Sequence, residues 1–293
     1  MEPGRIKAKL VDVFAEGKLT GNGLTIFWNC PDLAAKDMQA LTCEMRQFES
    51  IFVSKDEETD RFRARIFTME EELDFAGHPL IGLAAHLHEE YGTKDEHHWT
   101  VDLNKGPVRL TSRSRQGYWS ASMDQGRPSF VQTLEKNATM DAAAAMNINE
   151  SDLADLPPEV ISTGLPYLIL PVNDSIDTAR IISKNLESLL AGWGAKFAYV
   201  LDVNKREGRT WDNDGRVEDI ATGSAAGPAA AYLFKHGLAP GDTPFHIIQG
   251  RFTGRPSRME VCIRTGGEEI QSIEVSGNVH KIATLTFEPD LLT

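Results

Sequence analysis

The sequence predicts an α+β fold made of two pseudo-symmetric domains, each mostly antiparallel strand around one central apolar helix. Three observations carry this. The stretch from Glu72 to Leu87 returns as the stretch from Glu218 to Leu233, at a constant offset of half the chain. In that alignment Gly77 falls on Gly223, His78 on Ser224, and Leu87 on Leu233. One repeat per half suggests a duplicated domain rather than a solenoid. The strand patterns around each copy recur in similar order, and 293 residues suffice for two cores.

In order, residues 9–14 alternate as a strand, 20–23 form a turn, and 24–28 return as a hairpin. Asp32 is placed to cap a helix running to about Arg46. Residues 49–53 and 62–67 read as strands. The first Gly-turn opens a helix from about His78 to Glu90, with Pro79 in the first turn, where no amide donor is needed. Strands follow at 99–103, 108–112 and 118–123, then a linker at 126–128. The second half reads as helix at 141–146, a short helix capped near Asn149, and a strand within 160–172. Helix follows at 182–190 and strand at 197–201. The second Gly-turn and helix run from Gly223 to about His236, followed by strands near 245–248, 259–263, 272–275 and 281–287. The domains are expected at 1–124 plus 281–293, and at 125–280.

Composition narrows the function. A net charge of −13 argues against nucleic acid, whose phosphates need Lys and Arg, and against anionic membrane surfaces. Cys30, Cys43 and Cys262 are scattered, with no C-x-x-C, so neither a zinc knuckle nor a thiol pair is suggested. The amino terminus lacks a signal-peptide core, and no apolar run could span a bilayer, so the cytoplasm is expected. His86, His88, His97 and His98 read as surface residues without a metal-ligand set.

The matched Gly-turns are where chemistry is expected. A helix start exposes unpaired amides and a partial positive charge, suited to a carboxylate or a developing enolate. Gly77 and Gly223 allow close backbone approach, and Asp74, His78, Glu218, Asp219 and Ser224 flank the turns. His78, at a helix start, should be neutral. The same features also fit ordinary caps and close helix packing, and spacing alone leaves Glu49 anonymous.

Further motifs lie in order along nearly the whole chain. They are Val11-Asp-Val-Phe, Thr20-Gly-Asn, Glu49-Ser-Ile-Phe-Val, Arg65-Ile-Phe-Thr, Phe75-Ala-Gly-His-Pro-Leu-Ile-Gly, Ser122-Met-Asp-Gln, Thr163-Gly-Leu-Pro, Glu218-Asp-Ile-Ala-Thr-Gly-Ser-Ala-Ala-Gly-Pro, the Gln249 to Ser257 segment and Val275-Ser-Gly-Asn. By these the chain resembles the PhzF family of phenazine-biosynthesis-like isomerases. The resemblance implies a diaminopimelate-epimerase-like fold, two barrel-like domains each wrapped around a central helix, with the active site in the interdomain cleft. It implies Glu49, His78 and Asp219 as catalytic residues. Gly77, Gly223 and Ser224 would act as donors to the substrate, with Asn22 and Gln249 at the pocket edge. It also implies a homodimer. The chain departs from the family pattern at Phe48 and around residues 210–212, which bears on substrate choice.

The mechanism expected is a cofactor-independent isomerisation of a small anionic, unsaturated acid, dihydro-hydroxyanthranilate being one option. Glu49, its pKa raised between Phe48 and Phe52, takes and returns the proton. No metal and no cofactor are expected. Two alternatives stand beside it: an amino-acid epimerase or racemase using carboxylates, and a non-catalytic small-molecule binder. No cysteine stands in a Gly-turn, which argues against two-thiol epimerisation.

Overall fold

The computed structural model describes residues 6–28, 30, 33–56, 61–115, 117–267, 269–288 and 291. Asp32, the expected helix cap, lies outside them. The chain divides into two compact units, Met1–Asp124 with Ser276–Thr293, and Gln125–Val275. The return to the first unit comes earlier than the expected residue 281, because Val279 and His280 already pair with Val13 and Asp12.

The first unit contains β1 (Lys7–Val13), β2 (Asn22–Trp28), α1 (Ala35–Met45), β3 (Glu49–Asp56), β4 (Arg61–Thr68) and β5 (Glu72–Leu73). It continues with α2 (Gly77–Tyr91), β6 (Glu96–Leu103), β7 (Gly106–Arg115) and β8 (Tyr118–Asp124). The long strand β16 (Glu269–Thr286) supplies its residues from Ser276 onward. Eight strands pair in the order β1-β2-β3-β4-β6-β7-β8-β16, and β16 pairs back onto β1, closing a barrel. Pairings are antiparallel except β2–β3 and β4–β6. Parallel neighbours need a crossover, and the two helices provide them. Leu41 of α1 covers the outer face, packing with Phe27, Phe52 and Phe67.

The helix α2 fills the barrel. Every residue from Gly77 to His88 is buried, as expected of a helix apolar on all sides. A side chain at Gly82 would collide with Leu24 of β2 and press on Val13 of β1, so glycine sets how closely the helix approaches the wall. Burial of this whole helix corrects the surface reading of His86 and His88, which are 3% and 5% exposed. His88 Nδ1 lies 2.8 Å from Ser112 Oγ, and Nε2 lies 2.9 Å from the Lys94 carbonyl.

The second unit holds β9 (Ser129–Thr133), α3 (Lys136–Ala145), β10 (Glu159–Ser162), β11 (Pro166–Val172), α4 (Leu186–Gly192) and β12 (Phe197–Asp202). After them come β13 (Glu207–Arg209), α5 (Gly223–Lys235), β14 (Phe245–Gln249), β15 (Ser257–Gly266) and the start of β16. Their order is β9-β10-β11-β12-β13-β14-β15-β16. The parallel pairs, β11–β12 and β13–β14, are again separated by one antiparallel pair, β12–β13, as β2–β3 and β4–β6 are by β3–β4. The equivalent helix, α5, is buried from Gly223 to Leu233. The helices α3 and α4 share a separate apolar cluster with Trp211.

Several boundaries differ from expectation for physical reasons. The single strand expected within 160–172 is two, β10 and β11, turned at Gly164 with φ +150°. The short strands β9 and β13 were not foreseen. The helix expected from 182 begins at Leu186, since the Ile182 amide is spent on the Ala145 carbonyl. Asn149 precedes a 3-10 turn but its amide donates to the Asp152 carboxylate instead of capping. Strands expected at 272–275 and 281–287 are one strand, β16. Gly277 is there for space, because a side chain would strike the Phe14 ring.

Candidate active site

In the first unit, three of the expected residues meet at the start of α2. Asn22 opens β2, Glu49 opens β3, and His78 is the second residue of the helix. Parallel pairing sets Glu49 beside Leu24, and all three side chains are buried. His78 Nδ1 lies 3.2 Å from Glu49 Oε2 and 3.4 Å from Asn22 Nδ2. Burial pushes the His78 ring down to about 3, and the Gly23 backbone pulls only weakly the other way. The contact with Glu49 is therefore a hydrogen bond to a neutral imidazole, not an ion pair. Nε2 is buried and makes no hydrogen bond among the described residues.

The helix α2 starts without a side-chain cap, and no acid stands in its first turn. Its first amides, including that of Gly77, are thus not taken by a capping side chain. Asp74 is exposed and outside this cluster.

In the second unit, Asp219, Gly223, Ser224 and Gln249 meet around the start of α5. All four are buried. Thr222 Oγ1 donates to Asp219 Oδ2 at 2.5 Å. Gln249 Nε2 donates to the Asp219 carbonyl at 2.8 Å and to Thr222 Oγ1 at 3.0 Å. Gln249 Oε1 accepts from the Thr222 amide and the Tyr199 hydroxyl, each at 3.2 Å. Gln249, expected at a pocket edge, spends its amide on the turn that carries Asp219. Ser224 Oγ lies 2.8 Å from Tyr167 Oη. Gln125 Nε2 donates to the Gly223 carbonyl at 2.8 Å, and Thr163 Oγ1 steadies Gln125 Oε1 at 2.7 Å.

Tyr199 and Tyr167 were missed by sequence reasoning. Thr222, Gln125 and Thr163 stood in recognised motifs without a role. The Ser122-Met-Asp-Gln and Thr163-Gly-Leu-Pro motifs have one now: they hold the Gly223 turn. Glu218, next to Asp219, pairs with Arg209 through both carboxylate oxygens, at 2.8 and 2.7 Å.

No thiol stands at either helix start. Cys43 is on α1 and donates to the Met69 carbonyl, and Cys262 is on β15. Burial pushes the Cys30 thiol up to about 12, so it is not a ready thiolate base. Near the far end of α2, His86, Glu89 and Glu90 are spaced like metal ligands. Lys9 Nζ sits against all three, 2.5 Å from Glu89 and 3.4 Å from the other two. Its ammonium already supplies the cation.

The phenazine biosynthesis-like family (PhzC-PhzF) matches residues 11–284. The chain belongs to this family. A trans-2,3-dihydro-3-hydroxyanthranilate isomerase of Pseudomonas aeruginosa is 32% identical over 277 residues, covering 92% of this chain and 94% of its own. A solved structure described as a predicted epimerase, PA4716 from Pseudomonas aeruginosa, superposes with TM-score 0.91 at 48% identity, covering 99% of both chains. A probable proline racemase of Agrobacterium radiobacter K84 shares the fold alone, with TM-score 0.65 at 13% identity over 98% of this chain and 94% of that one. The fold is thus the epimerase-like one, and the chain is an isomerase of the PhzF family. No helix of the described residues is long and apolar enough to cross a membrane.

Proposed function

We propose that the chain catalyses a cofactor-independent proton shift on a small unsaturated carboxylic acid, with Glu49 as the group that takes and returns the proton. The observation that carries this is the Glu49–His78 pair. A carboxyl group and a neutral imidazole lie 3.2 Å apart in a buried setting. The unspent Nε2 of His78 remains for a substrate oxygen. Burying such a pair costs free energy that a mere binding protein would have no reason to spend. In the forward direction a C–H bond of the substrate breaks toward the Glu49 carboxylate. The electron pair moves along the conjugated system, and Glu49, its proton exchanged with solvent, delivers a proton to the other end. Amides at the start of α2, including that of Gly77, would stabilise charge on the carboxylate or carbonyl. The resemblance assigns Asp219 and Ser224 to the same reaction.

The substrate proposed is a cyclic dihydro acid of the kind named for the relatives, trans-2,3-dihydro-3-hydroxyanthranilate. A racemase reading needs two comparable bases, and the start of α5 carries Ser224 where that of α2 carries His78. Incubation of that acid with the protein in D₂O should change its ultraviolet absorbance and add one deuterium to the product. Silence with this and other unsaturated acids, together with α-deuterium uptake by a free amino acid, would instead establish a racemase.

A further inference from the structure

We propose that Thr222 is a positioning residue that fixes Asp219 as a hydrogen-bond acceptor at Oδ2, at the end of a one-way chain running from Tyr199 through Gln249. The inference rests on the role given to Asp219 above, but its geometry stands by itself.

The direction of the chain is set by groups that have no choice. The Thr222 backbone N–H can only donate, so the Gln249 atom facing it at 3.2 Å is the amide oxygen. The Tyr199 hydroxyl reaches the same oxygen. Burial, and after it the charge of Asp219, hold the Tyr199 phenol well above its usual range, so it stays a donor. The other end of the amide is then the NH₂. It meets an obligate acceptor, the Asp219 carbonyl, and the Thr222 hydroxyl oxygen. With a lone pair of Oγ1 occupied, the Thr222 proton points to Asp219 Oδ2, 2.5 Å away.

A second observation makes the bond unusual. Thr222 is the N-cap residue of α5, yet its hydroxyl makes no capping bond to the helix. A threonine oxygen there ordinarily accepts a hydrogen bond from the second or third helical amide, worth about 1 kcal/mol. Here φ −101° and ψ 83° turn the hydroxyl back toward Asp219. The cap is given up and the carboxylate is held.

The test compares Thr222→Val, which removes the hydroxyl at constant shape, with Thr222→Ser, which keeps it, in the full chain. Proton NMR of the resting protein should show a downfield, slowly exchanging hydroxyl proton. It should vanish in Thr222→Val, persist in Thr222→Ser and move in Asp219→Asn. Turnover of the dihydro acid should fall about tenfold in kcat for Thr222→Val, the loss of one hydrogen bond to a charged group. KM should be little changed, the kcat–pH profile should move, and Thr222→Ser should restore both. A hydroxyl signal that ignores Asp219→Asn, or a serine variant as impaired as the valine one, would overturn the proposal. The NMR result needs no substrate. A wild-type protein that turns over no unsaturated acid would thus sink the proposed function while the resonance still decides this inference.

Discussion

The two units brace their central helices alike and arm them differently. In the first, Arg65 grips Glu72 through both carboxylate oxygens and lies over the Phe67 ring at 5.2 Å. In the second, Arg209 grips Glu218 the same way and lies over the Trp211 ring at 4.8 Å. Both pairs hold the chain just before an uncapped helix that begins with glycine. Beyond the brace the likeness ends. The first unit sets a carboxylate against an imidazole at its helix start. The second sets the Asp219 carboxylate against the Thr222 hydroxyl, and places Ser224 where the first has His78. Where β3 opens with Glu49, its counterpart β12 opens with Phe197. Duplication supplied the frame twice, and the glutamate–histidine pair stands in the first copy.

The largest effect should come from Glu49. Glu49→Gln keeps the shape but removes the base, and kcat should fall on the order of a hundred- to ten-thousand-fold, with the fold intact by circular dichroism. Retained turnover would erase the distinction drawn between the units. It would move the proton chemistry to Asp219.

The braces themselves should differ in weight. The side chains of Arg209 and Glu218 are 9% and 14% exposed, against 26% and 25% for Arg65 and Glu72. Arg209 also donates to the carbonyls of Ile176 and Asp177. Arg209→Met leaves a nearly buried carboxylate without its partner and should cost about 3–5 kcal/mol in urea unfolding. Arg65→Met should cost less, about 1 kcal/mol, because solvent and Asn104 still reach Glu72. Equal losses would show that burial does not set the difference.

The sequence disclosed the duplication because glycine and small residues at a helix start are fixed by close packing, and both copies keep them. It disclosed Glu49, His78 and Asp219 only through the family motifs, since one glutamate in a strand looks like any other. The braces were present as Arg65-Ile-Phe and Arg209-Thr-Trp, each followed by a glutamate, but unequal spacing to Glu72 and Glu218 hid the match. His86 and His88 were misread because a helix inside a barrel has no solvent face, while a polar residue on a helix suggests one. Thr222 was invisible for the opposite reason. It stands where a cap is expected, and only the backbone angles show that its hydroxyl turns away.

The last effect concerns acid, and it too separates the units. His78 and His86 lie along α2, and burial pushes both rings down to about 3, with Lys9 adding to the shift at His86. The helix α5 carries no histidine. Between pH 6.5, the ordinary value, and about 3, the unfolded chain takes up protons at these rings and the folded chain does not. The unfolded state binds more protons in that window, so stability falls as pH falls through it, and above it the rings contribute no pH dependence. At pH 5, about one and a half units into the window, each ring should have cost roughly 2 kcal/mol. Hydrogen exchange should therefore quicken in α2 between pH 7 and 5, after correction for intrinsic rates, and less in α5. His86→Gln, which leaves the Glu49–His78 pair in place, should remove about half of that difference, because only one of the two rings then titrates. Equal acceleration in both helices would mean that other groups, common to the two units, govern their response to acid.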